Sequence, residues 1–492
     1  MLRVMTVTPT GTGSSPSAGQ LAPASSRRWL GLACISVAQL MVALDATIIN
    51  IALPSAQRSL AISDPQRQWV VTAYTLAFGG LVILGGRVSD SIGRRRAFLI
   101  GLAGFAFASA AGGAAPDFAA LVAARAAQGA CAALLTPTAL SLIAVTFTQG
   151  HERAKAFAVF GAIAGTGGAL GLLLGGVLTE YLQWRWCLFV NVPVALAALL
   201  ASRIVLPGGP AQQTSRLDVP GVALVTAGLV LTVYGLSSAA SRGWAAPLTL
   251  GTLIGGLALI GAFLLAESRA AEPLLPLRIL ASRNRGGAYL GIGLAVVALY
   301  GLFLLLTYDF QVVMHYSPVR AGLAFLPMSA AVLASSTLIS RALLPKLPPR
   351  LLMGPGLLIG AAAMATLTLL RPGDSYAAHV LPAEILLGLG MGAVFVPAFS
   401  TATLGVGQRD AGVASAVAGT AQQVGASVGT ALLNTAAASA TAAYVAAHHF
   451  APVADALVHG YSAAAGLAAA ILLAAAVAVG LLVDAGPLGR HD

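Results

Sequence analysis

Apolar runs of about twenty residues recur along the whole chain, separated by short polar breaks; each run has the length of a membrane-crossing helix. Six come first: Trp29 to Ala52, Gln68 to Gly86, Ala97 to Ala115, Phe118 to Phe147, Ala156 to Leu178 and Trp186 to Ile204. A polar stretch, Leu206 to Asp218, precedes two more, Val219 to Ala239 and Leu248 to Ala266. After a second linker, Glu267 to Arg285, six follow: Gly286 to Thr307, Ala321 to Ser340, Leu351 to Leu370, Tyr376 to Leu404, Ala411 to Thr435 and Tyr461 to Val483. The runs do not alternate with period two, which excludes a β-barrel. The pattern predicts an all-α polytopic membrane protein with two six-helix bundles, 29–205 and 286–483, and two inserted transmembrane helices within 206–285. Cytoplasmic tails are expected at 1–28, disordered, and at 484–492.

Composition removes the soluble alternative. The 492 residues would suffice for two or three soluble domains, but only 9% are charged where a wet surface needs about 25%. The net charge of +11 would point to nucleic acid in a soluble chain; here the basic residues gather in alternate loops. Only Arg58, Arg67, Arg185, Arg242, Arg320 and Arg371 lie in the opposite set, a bias that puts both termini on the cytoplasmic side of the plasma membrane. Cys34, Cys131 and Cys187 all fall in apolar runs without metal-binding spacing, so packing is the expectation. No phosphate loop, zinc-protease motif or nucleophile elbow appears, which argues against an ATP-driven pump and against an enzyme.

The few charges that the membrane should not tolerate become the candidates. Asp45, in LDATIINIALP of the first span with Asn50 nearby, can be a static hydrogen-bonding residue or an acid that loads and unloads a proton. Arg125 in the fourth span shares a helix face with Gln128, and either snorkels to the interface or faces a wet cavity; Asn50 and Gln128 are expected to line that cavity. Glu384 and Asp309 are further acids that could contact a cation or a proton, Asp309 near an interface. In the loop GRVSDSIGRRR, Asp90 and Arg94 stand four apart, with Gly86 and Gly93 to permit close packing and a tight turn, as a charged latch or as a plain basic stop-transfer cluster. Span five carries Gly167, Gly171 and Gly175 at four-residue spacing, with Gly176 beside them, a stripe that lets helices meet backbone to backbone. The loop SRALLPKLPPR after span ten repeats the basic second and last positions of GRVSDSIGRRR but lacks its Asp and glycines, a weak sign of an internal repeat.

Together, GRVSDSIGRRR, the stretch from Arg125 to Pro137, the span-five glycines, LDATIINIALP and WRWCLFVNVP resemble the successive signatures of the major facilitator superfamily, in its fourteen-span drug/proton antiporter branch. YSPVRAGLAFLP and GVASAVAGTAQQVG extend the likeness into the second half. The resemblance implies the major facilitator fold, a gating network at Gly86, Asp90, Gly93 and Arg94, a proton-linked Arg125, a span-one acid at Asp45 and an antiporter motif at Gly167, Gly171, Gly175 and Gly176. That motif usually has proline directly after the glycine at 171, where this chain has Leu172. The implied function is proton-coupled export of amphipathic or cationic small molecules such as drugs and antibiotics by alternating access. It needs the proton motive force and no cofactor, and its partners are substrate, protons and lipid, without an obligate protein. Dedicated export of a secondary metabolite, siderophore or amino acid is the alternative on the same fold, and a receptor or scaffold without transport is a third class. The inserted hairpin is expected at the edge of the bundles.

Overall fold

A computed structural model describes residues 22–147, 150–206, 218–270, 273, 275, 277–406, 411–448 and 452–486. Among these, fourteen long helices follow the expected order: α1 (Ala22–Ser59), α2 (Trp69–Ile92), α3 (Arg94–Gly113), α4 (Phe118–Thr146), α5 (Gly150–Tyr181), α6 (Asn191–Val205), α7 (Val219–Arg242), α8 (Pro247–Arg269), α9 (Arg283–Tyr308), α10 (Leu326–Leu338), α11 (Arg350–Leu367), α12 (Leu381–Ala402), α13 (Ala411–Ala447) and α14 (Val453–Leu482). Twelve helical stretches are long and apolar enough to cross a membrane. The other two long helices are α5, which includes residues with undescribed side chains, and α13, rich in Ala, Gly, Ser, Thr and Gln. The expected tail 1–28 and the end of the chain lie largely outside the described residues, as does most of the linker Leu206 to Asp218.

Helices run past several of the limits that hydropathy sets. Glu267, expected to open a linker, is inside α8 and buried, and α13 extends to Ala447 rather than stopping at Thr435. Polar residues at a helix end do not break backbone hydrogen bonding, so the helix continues into water while the apolar run ends.

Each half pairs its helices in the same way, and glycines mark the close approaches. In the first half α1 packs on α5, and α2 on α4; in the second, α9 packs on α13, and α10 on α12. A Cβ at Gly175 would lie 2.6 Å from the Ile48 carbonyl oxygen of α1, and one at Gly429 would collide with the Val297 carbonyl of α9. Likewise Gly129 of α4 abuts the Tyr74 carbonyl of α2, and Gly388 of α12 abuts the Met328 carbonyl of α10. The repeat is therefore far clearer in the packing than in the loop sequences.

The halves meet along α2 and α13 and close at the end that carries Arg67. There Arg67 Nε donates to Asn434 Oδ1 at 3.2 Å, and its guanidinium lies 3.7 Å from the Tyr308 ring centroid. The Tyr308 hydroxyl donates to Gln57, Gln311 Nε2 donates to the Ile51 carbonyl at 2.9 Å, and Val319 N–H donates to Glu180 at 2.8 Å. Closer to mid-helix, Thr75 and Ser427 share a 2.7 Å hydroxyl contact.

The inserted helix α7 covers the seam between α2 and α13. Thr435 donates to the Leu236 carbonyl at 3.0 Å and Trp69 meets Tyr234 at 6.2 Å between ring centroids. Its partner α8 lies outside it, with Ile254, Leu257 and Leu265 exposed.

Candidate functional site

Asp45 and Arg125, separate candidates in the sequence, meet inside the first half. Arg125 Nη1 donates to Asp45 Oδ2 at 2.6 Å, and both side chains are 0% exposed. Of the alternatives the sequence leaves open for Arg125, this conformation shows neither snorkelling to the interface nor an open cavity but a buried ion-pair partner, and Asp45 is hydrogen-bonded on both oxygens. Two amides complete the carboxylate: Gln128 Nε2 donates to Oδ1 at 3.0 Å and Asn191 Nδ2 to the same atom at 2.7 Å. Ser109 Oγ accepts from Gln128 at 2.6 Å and from Asn191 at 3.2 Å. Four helices, α1, α3, α4 and α6, thus deliver one polar cluster into an apolar bundle.

Local geometry explains the convergence. The three-residue spacing of Arg125 and Gln128 puts them on one face of α4, and Arg125 Nη1 also donates to Gln128 Oε1 at 3.0 Å. Gly129 is the next residue, and its missing side chain brings α4 onto α2, where the Val70 carbonyl accepts from Arg125 Nε at 3.1 Å. The guanidinium lies 4.4 Å from the Tyr74 ring centroid, an attractive cation–π contact between two buried side chains. Both Asp45 oxygens accept hydrogen bonds, while Arg125 Nη2 has no hydrogen-bond partner among the described residues.

Gln128 and Asn50 do not line open space in this conformation: they are 0% and 2% exposed. Asn50 is absent from the Asp45 cluster, and its amide nitrogen has no partner among the described residues. Ser109 and Asn191 are the members that sequence reasoning missed. Asn191 had a signal, as a polar residue of WRWCLFVNVP besides Arg185, whereas Ser109 sits in a run of Ala and Gly that gives none.

The loop motif is only partly described. Gly93 separates α2 from α3 with φ +92°, a left-handed conformation that suits glycine. Arg94 begins α3, while the Asp90 side chain lies outside the described residues. Gly86 makes an ordinary 3.7 Å contact with Pro137; the close approach belongs to its neighbour Gly85, where a Cβ would collide with the Ala133 carbonyl. In span five, Gly167, Gly171 and Gly175 pack on Ala43, Thr47 with Leu44, and Ile48 of α1, whereas Gly176 faces Pro318 and Val319 across the halves.

The second-half acids stand apart from this cluster. Glu384 is fully buried and accepts from the Tyr376 hydroxyl at 3.1 Å; its other oxygen has no partner among the described residues. Asp309, expected near an interface, is 1% exposed, and neither of its oxygens has a hydrogen-bond partner among the described residues.

Comparisons with known proteins place this geometry. The Major Facilitator Superfamily model matches residues 35–430. The chain is 52% identical to the puromycin resistance protein of Streptomyces alboniger over 93% of its own length and 92% of that protein. It is 40% identical to the cephamycin export protein of Amycolatopsis lactamdurans, over 84% and 85% of the two chains. The tetracenomycin C resistance and export protein of Streptomyces glaucescens is 35% identical over 86% of this chain and 78% of that one. Among solved structures, a bacterial homologue of the human lysosomal transporter Spinster, inward-facing and unoccupied, shares the fold with a TM-score of 0.67 at 17% identity, covering 93% of this chain and 97% of that one. The chain belongs to the Major Facilitator Superfamily and is a membrane transporter, not an enzyme.

Proposed function

We propose that this protein exports antibiotic-like amphipathic small molecules in exchange for protons, with all fourteen long helices crossing the plasma membrane and the Arg94 end in the cytoplasm. Export is supported by the resistance and export proteins that match nearly the whole chain. Proton coupling is carried by one observation: a fully buried Asp45–Arg125 pair whose carboxylate is completed by Gln128 and Asn191. Protonation of Asp45 leaves Arg125 as an uncompensated buried charge, a loss of about 3–5 kcal/mol, enough to favour a different packing of α1 against α4. A proton moving inward supplies about 2.3 kcal/mol per 100 mV of membrane potential, so the drive and the cost are of one size. The two inserted helices seal the seam beside α2 and α13, and the latch at Gly86, Asp90, Gly93 and Arg94 governs the cytoplasmic end.

Dedicated export of a single secondary metabolite is the second reading, favoured by relatives named for cephamycin and tetracenomycin C. One assay separates the two: inside-out vesicles containing the protein, energised by a pH gradient, are offered a panel of antibiotics with and without a protonophore. Uptake of several compounds, collapsing with protonophore, supports broad proton-coupled export, and uptake of one supports the dedicated reading. Uptake that ignores the protonophore overturns proton coupling.

A further inference from the structure

Resting on the proton-coupled reading above, we infer that Asp309 is a second proton-binding site, in the other half of the molecule, whose charge controls closure of the outer gate. Asp309 begins a five-residue π-helical segment, Asp309–Val313, at the end of α9. Such segments are rare and cluster at functional sites. Asp309 borders a cavity of about 20 Å³ whose other lining residues are Leu, Met, Ala and Tyr461. That volume admits one water, while pockets for organic ligands run to about 300 Å³ or more, so size excludes a substrate cation. A metal ion is excluded by the walls, which offer too few oxygens to replace its hydration shell. A proton, with at most one water, is what fits.

The flanking residues tie this acid to the gate. Tyr308, directly before it, holds Gln57 and stacks under Arg67; Gln311, two residues later, holds the Ile51 carbonyl. These are contacts between the two halves at the end assigned to the outside. Asp309 therefore occupies its closed-gate position in a site with neither donor nor counter-ion among the described residues, where an ionised carboxylate is strongly disfavoured. The neutral acid stays and the gate closes; the ionised acid must hydrate, which pulls Tyr308 and Gln311 off their partners. Tyr461 of α14 is the other titratable group on the cavity wall, α11 and α13 contribute only Met and Leu, Arg67 stands over Tyr308, and His315, beyond the π segment, is exposed. Exporters that pick up a proton outside need this sign: proton capture favours closure and return.

The test measures the outer gate directly. Spin labels at Ser59 and Arg320, in full-length protein with Cys34, Cys131 and Cys187 replaced by alanine, report the distance between halves in liposomes from pH 5 to 9. In the wild-type background the separated population grows with pH, by up to about tenfold per pH unit, the limit for a one-proton step. Asp309→Asn holds the short distance at every pH, and Asp309→Glu restores the response. Asp309→Leu repeats the Asn result in case the amide folds poorly, with thermal melting as the check on both. A wild-type pH response in the Asn and Leu variants overturns the proposal. Asp45→Asn separates the two readings: lost transport with an intact pH response of the gate means two independent sites, whereas coupled transport that survives Asp45→Asn sinks the Asp45 reading and leaves this one standing.

Discussion

The two halves share a scaffold and differ in what they bury. α1 on α5 and α9 on α13 use glycines at matching four-residue spacing, Gly171 with Gly175 and Gly425 with Gly429. Within the first half, the buried acid Asp45 has three donors from two helices. Within the second, Glu384 has one donor and Asp309 none among the described residues. Small residues fix the helix pairs, and they do so independently of charge. A scaffold packed this way can carry one fully paired ionic site and leave other acids for states in which water reaches them.

The comparison breaks most sharply at Arg125. Arg125→Ala strands Asp45 as an uncompensated buried charge, with an expected loss of about 3–5 kcal/mol of stability and coupled transport below detection. Asp45→Asn keeps the shape of the site and is expected to leave folding intact while abolishing efflux driven by a pH gradient. Thermal melting together with vesicle transport checks both. Arg125→Ala protein that melts as wild type would show that the pair is not a stabilising unit.

Next in size are the matched glycines. A Cβ at Gly171 would lie 2.7 Å from the Leu44 carbonyl, and one at Gly429 would lie 2.6 Å from the Val297 Cα; backbone atoms cannot swing aside. Gly171→Ala and Gly429→Ala are each expected to cost about 1–3 kcal/mol by overpacking. Gly86→Ala, in open contact with Pro137, should cost nothing measurable and can gain about 1 kcal/mol of helix propensity. Melting temperatures of the three variants decide it; equal losses at all three would refute the assignment of Gly85, rather than Gly86, to the close crossing of α2 and α4.

What the sequence shows and hides follows from these contacts. The order of helices is legible because lipid demands long apolar runs, and Asp45, Arg125 and Gln128 are legible because polar groups there are conspicuous. Their meeting is not, since it depends on how α1 and α4 are rotated about their axes. Adjacent glycines such as Gly85 and Gly86 point about 100° apart, so one faces α4 closely and the other does not. Ser109 is silent because a serine in a membrane helix can satisfy its hydroxyl on its own backbone, so its presence implies no partner. Glu267 escaped notice because it follows an apolar run and reads as linker, although α8 carries it onward and its Oε2 accepts from Leu275 N–H at 3.0 Å.

Leu172 tests the first half at a smaller scale. Proline inside a helix costs about 3 kcal/mol or more, partly because the carbonyl four residues earlier loses its donor. Here that carbonyl belongs to Gly168, and Thr47 of α1 already donates to it at 2.9 Å. Leu172→Pro should therefore destabilise by less than the usual figure, and Thr47→Val combined with it should restore the full cost. A double-mutant cycle in thermal stability measures the coupling; additive losses would show that Thr47 gives the carbonyl no cover.

The smallest expected effect makes the most direct contrast, because it repeats in the second half the acid-to-amide change that disables the first. In Glu384→Gln the side-chain oxygen still accepts from Tyr376, and the new NH2 group occupies the place of an oxygen that had no partner among the described residues. Nothing paired is broken, so stability should stay within about 1 kcal/mol and coupled transport within about twofold. Tyr376→Phe is the more costly change at the same spot: it removes the one hydroxyl that lies 2.7 Å from the Ala324 carbonyl and 3.1 Å from Glu384, so both buried groups lose that partner. Transport by Glu384→Gln reduced tenfold or more, with Tyr376→Phe near wild type, would invert that order. It would place a working proton on Glu384, and the two halves would then differ in how their acids are paired but not in whether they are used.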